Sequence, residues 1–385
     1  MPVPTSRALS RARTWVLPAT TGGLALAAFV RLVAPQANSA TLILTGLTQW
    51  AFLPAYPLAV VSAIGKRWIS LALGVAVVGA HVAWIAPEVF NTTAIPSGAH
   101  LRVATANLYA FNSRRSALAG GLEHARADVL VLEELTPSLA EQLRRHGLFA
   151  KYPYRFLRTE QNPQGIGILS TLPLTSAVEV PVGPARALRA TVEMHGRAVE
   201  LWAVHTHAPT RGEGRGLWNS EFQALRRIVA DDGRQAIVAG DFNATMQYPS
   251  LLGFAGHAHL TEANRARGQG LLSTWPANRP FPPLMRVDHV FVRGLGVAGV
   301  HTFGIPGSDH RGVVAELVLP TVSSVVSTAP RLPMVDSTPP SPSTINTIGG
   351  THVTSADHAF NASNKKATPR LKNNNPPRSD TVSRS

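Results

Sequence analysis

The sequence predicts an α/β domain with a two-layer sheet core, carried behind a cluster of membrane-spanning helices. Short apolar runs ending on polar residues recur between Leu101 and Leu319, and amphipathic stretches of helical period lie between them. The amino-terminal part differs: no Asp or Glu occurs before Glu88, and long apolar stretches follow one another.

Residues 1–13 form a basic amino terminus with Arg7, Arg11 and Arg13. Residues 14–87 hold apolar stretches at Trp15 to Val30, Thr41 to Ile64 and Trp68 to Ala86, each near the ~20 residues that cross bilayer hydrocarbon. Pro54 and Pro57 in the second, and the Gly-rich first, are tolerated in lipid but costly in a soluble core helix. Three transmembrane helices are expected. The competing reading is a signal peptide followed by a helical hairpin, but no Ala-x-Ala site follows the first run cleanly. The Arg cluster and the Lys66-Arg67 turn orient toward the cytoplasm, with only Arg31 in the intervening loop. Three crossings then put the remainder in the extracytoplasmic space, as a multi-pass protein of the cell membrane.

A linker at 88–98 leads into residues 99–320, enough for one sizeable domain. Strands are expected at Leu101 to Ala106, ending on Asn107, and at Asp128 to Leu132, ending on Glu133 and Glu134. Val199 to Val204 ends in His205-Thr206-His207-Ala208-Pro209, and Gln235 to Gly240 delivers Asp241 and Asn243. Val290 to Val292 follows Asp288, and Val313 to Leu319 follows Asp309 and His310. Helices fit at Arg114 to Arg126, Ser138 to His146 and Leu217 to Ala230. Residues 321–385 are rich in Ser, Thr, Pro and Asn with Phe360 the only aromatic, a composition that cannot bury a core and is expected to be disordered.

These strand ends carry the chemistry. Alternation by two puts Asp241 and Asn243 on one face, where a carboxylate can accept from a metal-bound water and an amide can donate to a phosphoryl oxygen. Alone, Gly-Asp-Phe-Asn and Asp309-His310 read equally well as ordinary turns. Together they place acids and imidazole at one rim. His310 suits a base or a cationic phosphate clamp, and Asp288 could fix its tautomer and raise its basicity. Asn107 and the Glu133-Glu134 pair add an amide and carboxylate, and one of His205 and His207 completes the set. The chain has no Cys, which excludes disulfides and thiol chemistry. Its formal charge of +14 favours anionic lipid, nucleic acid or wall polymer, yet much of it sits in the Arg cluster and at Lys365, Lys366, Arg370 and Lys372. Charge alone does not nominate a nucleic-acid substrate.

From Ala99 to Pro320 the chain resembles the endonuclease/exonuclease/phosphatase family, deoxyribonuclease I-like, through motifs in the family's order. They stand as Ala-Asn107-Leu, Val-Leu-Val-Leu-Glu133-Glu134, Gly-Ile-Gly-Ile-Leu-Ser170, His205-Thr-His207-Ala-Pro, Gly-Asp241-Phe-Asn243, Val-Asp288-His and Ser-Asp309-His310. The resemblance implies a four-layer α/β sandwich, two packed sheets flanked by helices. It implies Glu134 as principal metal ligand, with Asn107 beside it contacting metal or phosphate, and Asp309 at that metal or a second one. Asp241 would orient the attacking water, Asn243 would bind the phosphoryl oxygen, and His310, held by Asp288, would act as base or transition-state clamp. Strand length favours His205 as the catalytic histidine, with His207 as the alternative phosphate contact. Glu133 stands where the family usually has Gln, and His289 where an apolar residue or Tyr is usual.

The implied reaction is in-line attack by water on phosphorus, assisted by a divalent cation. Hard oxygen ligands favour Mg²⁺, or Mn²⁺, over Zn²⁺. A zinc hydrolase using His205, His207 and His310 with Asp241 would lack a compact His cluster and Cys ligands. A domain tethered after a membrane helix meets lipid head groups at high effective concentration, so a phosphatase on a lipid-linked or envelope phosphate is the expected function. Membrane-tethered extracytoplasmic members of the family resemble this layout. A tethered nuclease using Arg211, Arg215, Arg265, Arg267 and Arg279, and a sphingomyelinase-like phospholipase, are the rivals. A non-catalytic envelope binding module is disfavoured by the completeness of the motif set.

Overall fold

The structure is a computed structural model that describes residues 6–210, 213–229 and 233–321. Its helices begin with α1 (Ser6–Val33), α2 (Ser39–Gly46), α3 (Thr48–Ala51), α4 (Ala55–Ile64) and α5 (Trp68–Phe90). The next elements are β1 (Gly98–Asn107), a 3-10 turn (Arg115–Ala117) running into α6 (Leu118–Glu123), β2 (Val129–Glu133), α7 (Pro137–Arg145), α8 (Leu148–Lys151), β3 (Tyr154–Arg158) and β4 (Ile166–Ser170). Then come β5 (Leu174–Val182), β6 (Ala185–Met194), β7 (Arg197–His205), α9 (Gly214–Ile228), β8 (Ala236–Asp241) and α10 (Pro249–His257). The last are β9 (Thr261–Glu262), α11 (Ala263–Ala266), β10 (Asp288–Arg293), β11 (Gly296–Gly304) and β12 (Arg311–Pro320). The expected disordered tail lies outside the described residues from Val322 onward, as does Arg211.

The strands form two mixed six-stranded sheets, ordered β11-β12-β1-β2-β4-β3 and β5-β6-β7-β8-β10-β9. Each has one parallel pair, β1 with β2 and β7 with β8. Alternate side chains meet between the sheets: Leu101, Val103, Val129 and Val131 from one, Leu201, Ala203, Ile237 and Val290 from the other. The intervening residues face outward, where Ala104, Leu130 and Leu132 pack on Leu118, Leu122 and Leu139, and Trp202, Val238 and Phe291 pack on Trp218, Phe222 and Phe254. Two buried faces explain why these strands read as continuous apolar runs. Pro137 starts α7 behind Thr136, whose hydroxyl accepts from the Leu139 N–H at 3.2 Å. The helix expected over Arg114 to Arg126 is shorter: Gly120 and Gly121 weaken it, and α6 ends at Glu123.

Of the three membrane helices expected, two are plain candidates and the third depends on a bent pair of helices counting as one span. Two helices, over Trp15–Val33 and Trp68–Phe90, are long and apolar enough to cross a membrane. The second apolar stretch bends by 74° between Ser39–Gly46 and Thr48–Ile64, so it is not one clear span. The bend has a tertiary cause. Helix α2 lies on the α/β domain, where Leu42 is fully buried in the Trp202 cluster and its carbonyl accepts from the Tyr248 hydroxyl at 2.8 Å.

The ends of the apolar helices are bonded to the same domain. Arg31 stacks on Trp84 and donates to Gln247 Oε1 at 2.7 Å. Glu88 accepts from Gln247 at 2.9 Å and from Arg286 at 3.2 Å, and pairs with Arg265. Gln49 donates to the Leu284 carbonyl at 3.0 Å, as does the Trp50 indole at 2.9 Å.

Candidate active site

Sheet direction assembles the site. The parallel strands β1, β2, β7 and β8 end at one rim, and the antiparallel strands β10 and β12 begin there. In register, Asn107 lies opposite Glu133, while His205 and Asp288 flank Asp241. Gly240 permits this closeness: its φ is 149°, and a Cβ there would stand 1.8 Å from the Val204 carbonyl oxygen. Two side chains reach the rim through left-handed backbone, Glu134 with φ 56° and Asn243 with φ 46°.

The Asn107 amide donates to Asp241 Oδ2 at 2.9 Å and to Glu134 Oε1 at 3.2 Å, tying the two sheets together. Glu134 Oε2 accepts from the Ala110 N–H at 2.8 Å. Asp241 Oδ1 accepts from the Asn243 N–H at 2.8 Å, and the Asn243 amide donates to the Thr206 carbonyl at 2.8 Å. His310 Nδ1 lies 2.9 Å from Asp288 Oδ2, and its Nε2 lies 3.8 Å from Asp241 Oδ2 and 3.9 Å from Asp309 Oδ1. His205 Nε2 also stands 3.8 Å from Asp241 Oδ2.

Charge here is concentrated and dry. Burial alone would lower the His310 imidazole, but Asp288 and Asp241 outweigh it and raise it to about 10. Asp241 is raised above the usual carboxylate range by burial and by Asp288, with His310 and His205 opposing. Glu133 is raised well above its ordinary value by burial, against the Thr105 hydroxyl that donates to it at 2.6 Å.

The donor set fits a divalent cation. Asp241, Asp288 and His310 bring ligand atoms within 4.8 Å of one another. Glu134 and Asp309 add further oxygens, and Asp309 Oδ1 is buried with no hydrogen-bond partner. Both Asp288 oxygens already face His310 Nδ1, at 2.9 and 3.2 Å, whereas Asp309 Oδ1 has no hydrogen-bond partner within the protein.

Asn107, Glu134, Asp241, Asn243, Asp288, Asp309, His310 and His205 thus meet at one rim. His207 is held elsewhere: Glu221, fully buried on α9, takes its backbone N–H at 2.8 Å and pairs with its Nδ1. His289 is structural, within reach of Glu262 at 3.3 Å and the Ala244 carbonyl at 2.9 Å. Of the arginines expected at the rim, Arg215 donates to Ala37, Arg265 pairs with Glu88, and Arg267 donates to Thr93. Sequence reasoning missed Ser308, which donates to the Asn107 carbonyl at 2.7 Å and accepts from the His310 N–H at 3.0 Å. It also missed Trp275, whose indole donates to Asp309 Oδ2 at 3.2 Å. Ser308 sits inside a recognised motif and was findable; Trp275 carries no local signal.

Among solved structures, the chain is similar to an endonuclease/exonuclease/phosphatase from Beutenbergia cavernae, at 20% identity and TM-score 0.45, covering 57% of this chain and 72% of that one. It is similar to D. rerio TDP2 complexed with single-strand DNA product, at 18% identity and TM-score 0.49, covering 57% and 99%. It is also similar to sphingomyelinase C from Streptomyces griseocarneus, at 17% identity and TM-score 0.44, covering 57% and 99%. No curated protein matches the chain. Residues 104–310, more than half of the sequence, match the Endonuclease/Exonuclease/phosphatase family. That stretch runs from β1 to His310 and so takes in every strand end at the rim, and the chain belongs to this family of metal-dependent phosphoester hydrolases.

Proposed function

We propose that this protein is a membrane-anchored, divalent-metal-dependent phosphoester hydrolase acting as a phosphatase on a lipid-linked or envelope phosphate, with its active site outside the cytoplasm. The observation that carries the reading is the union of two features in one unit: a complete acid, amide and imidazole rim, and apolar helices whose ends are bonded to the loops flanking that rim. Three of the arginines that a nuclease would be expected to use, Arg215, Arg265 and Arg267, are occupied in structural contacts, which weakens the nucleic-acid reading.

In this reading the attacking water sits beside Asp241, whose raised proton affinity suits it to take a proton as the P–O bond forms. Asn107 and Asn243 fix that carboxylate, and the remaining Asn243 N–H points the phosphoryl oxygen. His310, a cation held through Nδ1 by Asp288, presents Nε2 to the phosphoryl group and stabilises its developing charge. Glu134 and Asp309, with Asn107 beside them, would hold Mg²⁺ or Mn²⁺, which supplies charge screening on the phosphate and the leaving oxygen.

The test is turnover by the full chain in micelles, with Mg²⁺ and with chelator, on a polyprenyl diphosphate, a phosphodiester lipid and supercoiled DNA. Glu134→Ala and His310→Ala run beside it. Metal-dependent orthophosphate from the lipid diphosphate, lost in both variants, is expected. Nicked DNA would replace the proposal with a tethered nuclease, and a released phosphorylated head group with a phospholipase.

A further inference from the structure

The segment from Gly270 to Met285 joins the membrane helices to the active site. At one end the Gly270 N–H donates to the Glu88 carbonyl at 2.8 Å. Ser273 accepts from Gln49 at 2.9 Å, and Leu284 accepts from both Gln49 and Trp50. The segment is therefore pinned where α3 and α5 emerge from their apolar stretches. Between the pins it exposes Leu271 and Leu272 at 40% each and Phe281 at 46%, and the Trp50 indole bonded to it at Leu284 is 44% exposed. A soluble surface would have no reason to keep large apolar groups together here, whereas the bilayer interface favours an amphipathic indole flanked by aliphatic and aromatic side chains.

The same segment also reaches the catalytic rim. The Trp275 indole donates to Asp309, the Ala277 N–H donates to the Asp309 carbonyl at 2.7 Å, and the Thr274 carbonyl accepts from the Arg311 N–H at 2.9 Å. An open groove of about 500 Å³ runs between Ala277 and Asn278 on one side and Gly304 to Ser308 on the other, with Arg114 on its wall.

We propose that residues 271–283 form a bilayer-contacting loop that lies in the lipid interface, so that the groove beside it leads the anionic head group of a lipid phosphoester past Arg114 toward the rim at Ser308. The proposal rests on the membrane-anchored reading and names the surface from which the substrate is taken. The occupant of the apolar patch is the bilayer that receives α5, because the segment is bonded to the end of that helix at Glu88 and to Trp50 on α3.

The chain lacks cysteine, so single nitroxide labels can be placed at will. Leu272→Cys and Phe281→Cys would be labelled in the full chain in nanodiscs of zwitterionic and anionic phospholipid. Val75→Cys, exposed within α5, reports the span, and Ala177→Cys reports water. Ala177 lies on β5, at the sheet edge opposite β9 and hence away from α5. Power saturation then gives accessibility to oxygen against a water-soluble nickel complex. The expected oxygen-to-nickel ratio at 272 and 281 exceeds that at 177 by about threefold or more, as for side chains at the headgroup and acyl boundary. A water-like ratio at either loop position, with Val75 in lipid, overturns the loop proposal and leaves the anchored hydrolase standing. Labels shielded from both reagents mean that a protein covers the loop, which also overturns it. A water-like Val75 overturns the anchored reading and the loop together.

Discussion

Replacing Glu88 by Ala tests whether the membrane helices and the hydrolase domain form one cooperative structure. Glu88 is almost fully buried, and its carboxylate meets Arg286 at 3.2 Å, the Gln247 amide at 2.9 Å and the Arg265 guanidinium. Removing one partner of a buried pair costs about 3–5 kcal/mol, because the charge left behind is neither solvated nor paired. Arg286 would keep Glu262 at 3.4 Å and the Gly270 carbonyl at 2.6 Å, so the loss belongs at the lower end, about 3 kcal/mol. At about 2 °C per kcal/mol for a unit of this size, the Tm should fall by about 6 °C. The assay is thermal unfolding of the full chain in micelles, followed by tryptophan fluorescence. A double-mutant cycle with Arg286→Met supplies the control, since removing both charges should cost less than the sum of the single changes. A Tm within about 1 °C of the parent, or strict additivity in the cycle, would refute the reasoning.

Asp288→Asn should lower turnover by about 10²–10⁴ while leaving the fold intact, because it removes the acceptor that orients His310 and sustains its proton. A pH profile should show the alkaline limb move to lower pH, and an unmoved limb would assign the ionisation elsewhere. Glu134→Gln should weaken Mn²⁺ binding in calorimetry by at least about tenfold, with chelation of the parent abolishing turnover and added Mg²⁺ or Mn²⁺ restoring it. Glu262 links pH to stability. Burial would raise it, but Arg286, His289 and the Arg265 N–H hold it down at about 2 against an ordinary 4.5. Its contribution is present above 4.5 and is lost as pH falls through about 2, so Glu262→Gln should flatten the acid side of a Tm-against-pH curve. His310 has the opposite sign: with its proton held to about 10, its contribution is full below its ordinary 6.5 and lost as pH rises through about 10. Tm measured from pH 7 to 11 should fall more steeply in the parent than in His310→Ala.

The catalytic strand ends were legible because local rules decide them. Val129 to Leu132 has both faces buried, so it shows as an unbroken apolar run, and the polar residues that end such a run must sit at a sheet rim. Strand β5 was not legible, since most of it is exposed and its residues show no alternation. The bend after Gly46 depends on long-range packing: a Cβ there would meet the Tyr248 hydroxyl at 2.6 Å and the Met285 sulfur at 2.7 Å. No local pattern announces neighbours two hundred residues away. The pairing of His207 was hidden for the same reason, since Glu221 is brought to it by the packing of α9. Glu133 and Glu134 look equivalent in sequence, and only the left-handed turn at Glu134 sends one to the rim and leaves the other in the core.

Leu42 gives the fold a history as well as a shape. It belongs to the aromatic cluster under β7, β8 and β10, yet it is made 246 residues before Asp288 opens the last of those strands. The ribosome delivers the apolar helices first, and the hydrolase domain must assemble around a plug that is already made. An enzyme severed from its first ninety residues would open that cluster and the Tyr248 hydroxyl to water in place of Leu42 and its carbonyl. The apolar helices and the enzyme therefore mature as one object, and the first segment made is also the one that closes the core.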